Sequence, residues 1–189
     1  MDENATSIVC YKLNSAQSKF TVQAFAAGFF SGFGHNPIIG IREFTGEVRF
    51  SPETLFDASL RLEINAKSLG VLDDVKEKDK REIERVMHDD VLETARFPEI
   101  IFQSTSTTLT KINDERYKAK IIGDLTMHGV TRNGLWIMPR LILNGDEITA
   151  TGNFTLKQTD YGIKLVSIAA GALKLKDELE FKFNLVGSK

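Results

Sequence analysis

The chain has 189 residues, 42% of them hydrophobic, with 24 basic against 26 acidic side chains and a formal net charge of -2. A chain of this length is expected to form one domain over residues 1–189, burying about 70% of the surface it exposes when unfolded, without a disulfide or metal to hold it. The balanced charge leaves no broad basic field for nucleic acid or for a membrane surface, and the single Cys10 excludes an internal disulfide.

The amino terminus opens with Asp2 and Glu3 and lacks the basic and then apolar pattern of an export leader. As written, the sequence predicts a cytoplasmic protein; a chain trimmed of its leader would read the same and be periplasmic. No apolar run approaches the roughly 20 residues of a transmembrane helix.

The dominant signal is apolar alternation with period two, the mark of strands with one face inside and one in water. Phe20, Val22, Ala24 and Ala26 share a face opposite Thr21 and Gln23. The next stretch carries Gly28, Gly32 and Gly34 among Phe25, Phe29, Phe30 and Phe33. Its spacing fits neither a phosphate loop nor a dinucleotide fingerprint, so it is expected to bend a strand beside an apolar cavity. Alternation resumes with Val48 and Phe50 against Glu47 and Arg49, and with Leu60, Leu62 and Ile64 against Arg61, Glu63 and Asn65.

From Asp73 to Glu93 the pattern changes to a charge-dense run without Gly or Pro, which predicts a helix. Asp73 or Asp74 is placed to cap it, Glu77 and Arg81 to pair at i,i+4, and Val75, Ile83, Val86 and Met87 to form an apolar stripe. Pro98 then disfavours helix at Phe97 and returns the chain to a strand. Phe102, Ser104 and Ser106 form one face of that strand. The turn INDER leads to Tyr117, Ala119 and Ile121 opposite Lys118 and Lys120.

The segment from Leu135 to Leu143 is apolar on both faces and interrupted by Pro139, which predicts an edge or bulged strand covered by a partner subunit or by a helix. Two further alternating runs close the chain: Ile148 to Leu156, and Leu179, Phe181, Phe183 and Leu185. About eight strands joined by short turns predict an antiparallel sandwich or barrel, because parallel strands need helical crossovers.

Chemistry-bearing motifs are sparse. There is no nucleophile elbow, no paired-histidine zinc motif and no cysteine couple. The histidines His35, His88 and His128 allow three readings: a metal centre for zinc or iron, turn or lid residues that hydrogen-bond to backbone, or a hydrogen bond from His35 or His128 to the polar end of a ligand. Thirteen phenylalanines against one Trp and three Tyr favour an apolar lining with few polar handles.

Taken in order, SKFTVQAF, EFTGEVRFSPE with Phe44, Gly46, Phe50 and Pro52, ASLRLEINAKSL, KDKREIE, RFPEIIFQST with Phe97, Pro98, Ile101, Phe102 and Ser104, GDLTMHGVTR and QTDYGI resemble the YceI-like family of bacterial polyisoprenoid-binding proteins. The resemblance implies an all-β, lipocalin-like antiparallel barrel of about eight strands with one inserted charged helix near residues 73–93. It also implies non-catalytic binding, sequestration or transport of an isoprenoid lipid or isoprenoid quinone, which is itself the ligand, with no cofactor. On that reading Phe20, Phe25, Phe44, Phe102, Trp136 and Phe154 line the cavity, and His35 and His128 meet the headgroup. Trp136 and Met138 are expected to face inward, leaving Leu135, Ile137 and Leu141 for a homodimer partner. Two rivals are a metal-dependent enzyme built on His35, His88 and His128, and a stress-linked interaction module that holds no ligand and works through its Leu135–Leu143 surface.

Overall fold

Alternation in the sequence becomes eight antiparallel strands that close on themselves. The computed structural model describes residues 8–27, 36–51, 53–55, 58–168 and 173–189. Strand β1 comprises Val9–Leu13 and Lys19–Gln23, β2 Ile38–Ile41 and Phe44–Phe50, and β3 Ser59–Asn65 and Leu69–Val71. Then follow β4 (Glu99–Lys111) and β5 (Arg116–Met127), β6 (Val130–Ile137 and Arg140–Asn144), β7 (Glu147–Lys157) and β8 (Glu178–Ser188). Each strand pairs with its neighbour in sequence, and β8 pairs back onto both halves of β1, with Phe183 opposite Phe20 and Lys12 opposite Ser188. Closure covers most of the sheet edge that would otherwise template aggregation.

The bends have local causes. In β1, Asn14 Oδ1 accepts from the amides of Ala16 and Gln17 and turns the chain through a 3-10 helix at Ser15–Gln17. In β3, Asn65 does the same for Lys67 ahead of Ala66–Ser68. Asparagine serves here because its short amide competes with the strand ladder for nearby backbone donors. A register shift in β4 between Ser104 and Ser106 sends Ser106 outward and Thr107 inward, correcting the expectation that Ser106 continues the Phe102 face. The Ser104 hydroxyl is used locally, accepting from the Leu60 amide at 2.8 Å.

Strand β6 overturns an expectation about direction. Trp136 and Met138 are both 61% exposed, whereas Ile137 and Leu141 are buried and Leu135 is half-buried. The reason is pairing. Ile137 lies opposite Ile121 and Leu141 opposite Tyr117, and residues paired across antiparallel strands point to one side. Leu135, Ile137 and Leu141 therefore face the barrel interior and cannot form the outer surface assigned to a homodimer. Pro139 interrupts the strand as expected, its carbonyl accepting from the Ala119 amide. Pairing between β6 and β7 covers Arg140–Asn144 and Glu147–Thr151; among the described residues Val130–Ile137 is laddered to β5 alone.

The helix is shorter than its charge pattern suggested. An α-helix at Glu77–Arg85, α1, continues as a π-helical segment at Val86–Val91. Neither expected cap is used: Lys76 stands at the N-cap without a side-chain bond, and Asp73 accepts from the Ile38 amide at 2.7 Å, tying the connection to β2. The Glu77–Arg81 pair forms at 3.0 Å, as exposed i,i+4 pairs do. Glu84 accepts from the Val71 amide, covering the free edge of β3. A second, three-stranded sheet of Ala26–Ala27, Ser167–Ile168 and Leu173–Leu175 lies outside the barrel ladder. Among the described residues no helix is long and apolar enough to cross a membrane.

Candidate functional site

The interior is hollow. A cavity of about 650 Å³ runs inside the barrel, within the size range of small-molecule sites. Its wall takes Phe20 and Val22 from β1, Leu62 from β3, Phe102 from β4, Ile121 and Leu125 from β5, Phe154 from β7, and Phe181 and Phe183 from β8. The helical segment supplies Ile83, Val86 and Met87 of the predicted stripe together with Val91, whereas Val75 precedes the helix and stays outside the lining.

Aromatic rings give the wall its shape. Phe154 and Phe181 stack with centroids 4.7 Å apart, and Phe20 meets Phe183 edge-on at 6.1 Å. Gly152 makes room for this: a Cβ there would come 2.7 Å from the Phe183 ring. At the end where β1 begins, Tyr11, Phe50 and Ile148 form a separate buried cluster, with Tyr11 stacked on Phe50 at 5.9 Å. Burial pushes the Tyr11 phenol above its ordinary pKa. That cluster floors the cavity through Phe50 and Ile148.

Polar groups are few and mostly peripheral. Ser59, Thr107 and Gln158 line the cavity; Gln158 is buried and donates its Nε2 to the Lys176 carbonyl at 2.9 Å. The Thr107 hydroxyl is shielded and has no hydrogen-bond partner among the described residues. Charges occur at the helix end, where exposed Asp79, Glu82 and Lys174 reach the lining. Glu82 is held below the usual carboxylate range by the Arg85 guanidinium at 2.8 Å.

The eight residues assigned from sequence are divided by the structure. Phe20, Phe102 and Phe154 line the cavity. Phe44 is buried but packs edge-on behind Phe20 at 6.2 Å, outside the lining. Phe25 is also outside it, with Lys176 Nζ 5.9 Å from its ring centroid. Trp136 points away from the interior, and His35 lies outside the described residues.

His128 is engaged by the protein itself. It and Gly129 form the β5–β6 turn with φ of 52° and 73°, the type I′ geometry that suits a two-residue hairpin. Its Nε2 is 2.8 Å from a Glu93 carboxylate oxygen, its Nδ1 3.2 Å from the Tyr161 carbonyl, and its ring 4.6 Å from that of Phe97. Glu93 also has positive φ, at 45°. His128 thus pins the segment after the helix to the barrel. His88 makes a similar tie from the π-helical stretch, with Nε2 3.0 Å from the Leu69 carbonyl and Nδ1 facing the Thr94 hydroxyl. Among the described residues no group of three or more His, Cys, Asp or Glu side chains is arranged to hold a metal ion.

The residues that sequence reasoning left out of the site are chiefly Phe181, Phe183 and the helix stripe. All were visible as alternation or stripe; only their convergence on one space was not.

Fold and site together define a closed up-and-down β-barrel with an apolar interior, the lipocalin-like class of protein. The chain belongs to the YceI-like domain family, whose model it matches over residues 11–187. It is 30% identical over 147 residues to a UPF0312 protein of Shewanella denitrificans, covering 71% of this chain and 69% of that relative. A UPF0312 protein of Pseudomonas fluorescens is 32% identical over 111 residues, 58% of this chain, which spans 53% of that relative's length. Among solved structures it is similar to BcnA of Burkholderia cenocepacia (TM-score 0.68, 19% identity, 92% of this chain and 98% of that one). It is also similar to a polyisoprenoid binding domain from Saccharophagus degradans (TM-score 0.64, 14% identity, 94% and 97%). At such identities the likeness is one of fold.

Proposed function

We propose that this protein binds the apolar chain of an isoprenoid lipid or isoprenoid quinone inside its barrel and sequesters or carries it without catalysis. The observation that carries this reading is the cavity of about 650 Å³ with an almost wholly apolar wall. Each buried methylene contributes about 0.8 kcal/mol, so a dozen ligand carbons supply on the order of 10 kcal/mol before ordering costs. A protein that needed only a core would fill this space, since packed interiors leave few voids larger than a water molecule. Membership of the YceI-like family and the fold shared with a polyisoprenoid binding domain support the choice of an isoprenoid.

The rim favours a neutral head. Among the described lining residues Lys174 is the single Lys or Arg, and Asp79 and Glu82 add carboxylates. A phosphate head would want several cations or a bidentate guanidinium. A quinone or alcohol needs only single hydrogen bonds.

Organic extraction of natively purified protein followed by mass spectrometry tests the reading. A prenylated neutral lipid at near-stoichiometric amount is expected. Finding no lipid, together with no binding of added farnesol or short-tailed ubiquinone to the stripped protein, would overturn it. The metal-enzyme alternative has less support, because His88 and His128 are both engaged with protein partners.

A further inference from the structure

The outer face of β5 and β6 carries a surface that the cavity does not explain. Trp136 and Met138 are each 61% exposed and Ile142 is 43% exposed. Beside them on β5 stand the exposed Arg116, Lys118 and Lys120, and on β6 Arg140 separates Met138 from Ile142. The register sets Arg140 opposite Lys118, Ile142 opposite Arg116 and Trp136 opposite Ile122, so these side chains share one outward stripe. None of these four cations is in an ion pair among the described residues. Acidic residues bound the stripe: Glu115 in the β4–β5 turn, and Asp124 two residues beyond Ile122. The net charge of -2 therefore hides a local reversal of sign.

The composition narrows the occupant. A second copy meeting this face through a two-fold axis would bring the same cations against each other, which charge complementarity disfavours. An indole, a thioether and a ring of ammonium and guanidinium groups match an anionic bilayer, with Trp at headgroup depth and cations on lipid phosphates. We propose that the β5–β6 face docks on anionic lipid bilayers.

Docking would bring an unusual part of the wall to the lipid. Leu135 and Ile137, on either side of Trp136 in sequence, line the cavity, and Val130–Ile137 is the length of β6 not laddered to β7. The docked face thus includes, at Trp136, a stretch of β6 that among the described residues is hydrogen-bonded to a strand on one side only. The proposal does not depend on what the cavity holds.

The test is co-sedimentation with phosphatidylcholine vesicles made with and without phosphatidylglycerol, read together with the emission of Trp136, the sole tryptophan. Expected are binding to the anionic vesicles alone, weakening as salt is raised, and a blue shift quenched by brominated lipid. The triple variant Lys118→Glu, Lys120→Glu, Arg140→Glu should lose on the order of a hundredfold in affinity, about fivefold per cation lost. Lipid content after extraction should stay at the wild-type level in that variant, separating loss of docking from loss of the cavity function. Equal binding to neutral vesicles, an unshifted Trp136, undiminished binding of the triple variant, or burial of the face in a dimer by sedimentation velocity would each overturn the proposal.

Discussion

Ala150 shows how one small side chain keeps space open. It lines the cavity from β7 and is paired with both Leu141 and Leu185. Ala150→Trp should fill part of the hollow and lower retention of the bound lipid at least tenfold. The added bulk goes into a void instead of a packed core, so the usual overpacking cost of about 1–3 kcal/mol should be largely avoided. Extraction and a thermal melt measure the two effects separately; a large fall in melting temperature without loss of lipid would mean that the space is not the binding site.

His128 is open to an equally direct test at the same scale. Replacement by Ala should remove the Glu93 and Tyr161 contacts and place an ordinary residue at positive φ, costing about 1–3 kcal/mol. His128→Asn should recover part of that, because Asn tolerates the left-handed turn. Denaturant melts give both values. If the imidazole contacts a headgroup instead, both variants will lose ligand affinity equally and stability will hardly move.

Among the elements, the turn at Gln158–Tyr161 is tied to the start of β8 by one carboxylate. Asp177 accepts from the Thr159 amide at 2.9 Å and from its hydroxyl at 2.7 Å, and these bonds hold its pKa below the usual carboxylate value. A carboxylate whose pKa is depressed on folding stabilises the protein above its unfolded pKa, and this contribution is lost as pH falls through the folded value. Wild-type stability should therefore drop below about pH 4, more steeply than that of Asp177→Asn, which starts lower and lacks this component. Parallel urea titrations across acidic pH measure the difference.

The elements also show why the sequence was informative in some places and silent in others. Strands β3, β5 and β8 alternate cleanly, and each has the orientation its pattern predicts. In β4 the shift falls within Ser104-Thr105-Ser106-Thr107-Thr108, where no hydropathy contrast marks which residue turns inward. In β6 both faces are apolar, so alternation carries no direction; pairing with the clearly alternating β5 sets it, and places Ile137 inside. Acrylamide should quench Trp136 efficiently in lipid-free protein, as its outward position requires. The helix was legible from its charge, but its start was not, because Asp73 is taken by the Ile38 amide before it can serve as a cap.

At the scale of the molecule, closure and cavity were legible to different degrees. Eight alternating strands of Phe, Ile and Leu suit either a packed sandwich or a hollow barrel, and hydropathy does not report volume. Three of the assigned phenylalanines reach the lining, because strand alternation gives direction. Phe44 and Phe25 do not reach it, because depth in the wall depends on neighbours: Phe20 stands in front of Phe44, and Phe25 lies past the end of the β1 ladder. The charge total was misleading at this scale, since a near-neutral sum conceals the basic stripe of β5 and β6.

The pairing of β8 with β1 has a consequence for how the molecule is made on the ribosome. Phe20 meets Phe183 and Lys12 meets Ser188, so the first-synthesised strand waits for the last before its second edge is covered. Until then any sheet built from the earlier strands has an apolar face and two unpaired borders, features that favour association. Contacts this distant in sequence also slow folding. Pulse-labelled protein should therefore engage a holding chaperone until residues 178–188 have emerged from the exit tunnel, and a chain ended before Glu178 should remain bound to it.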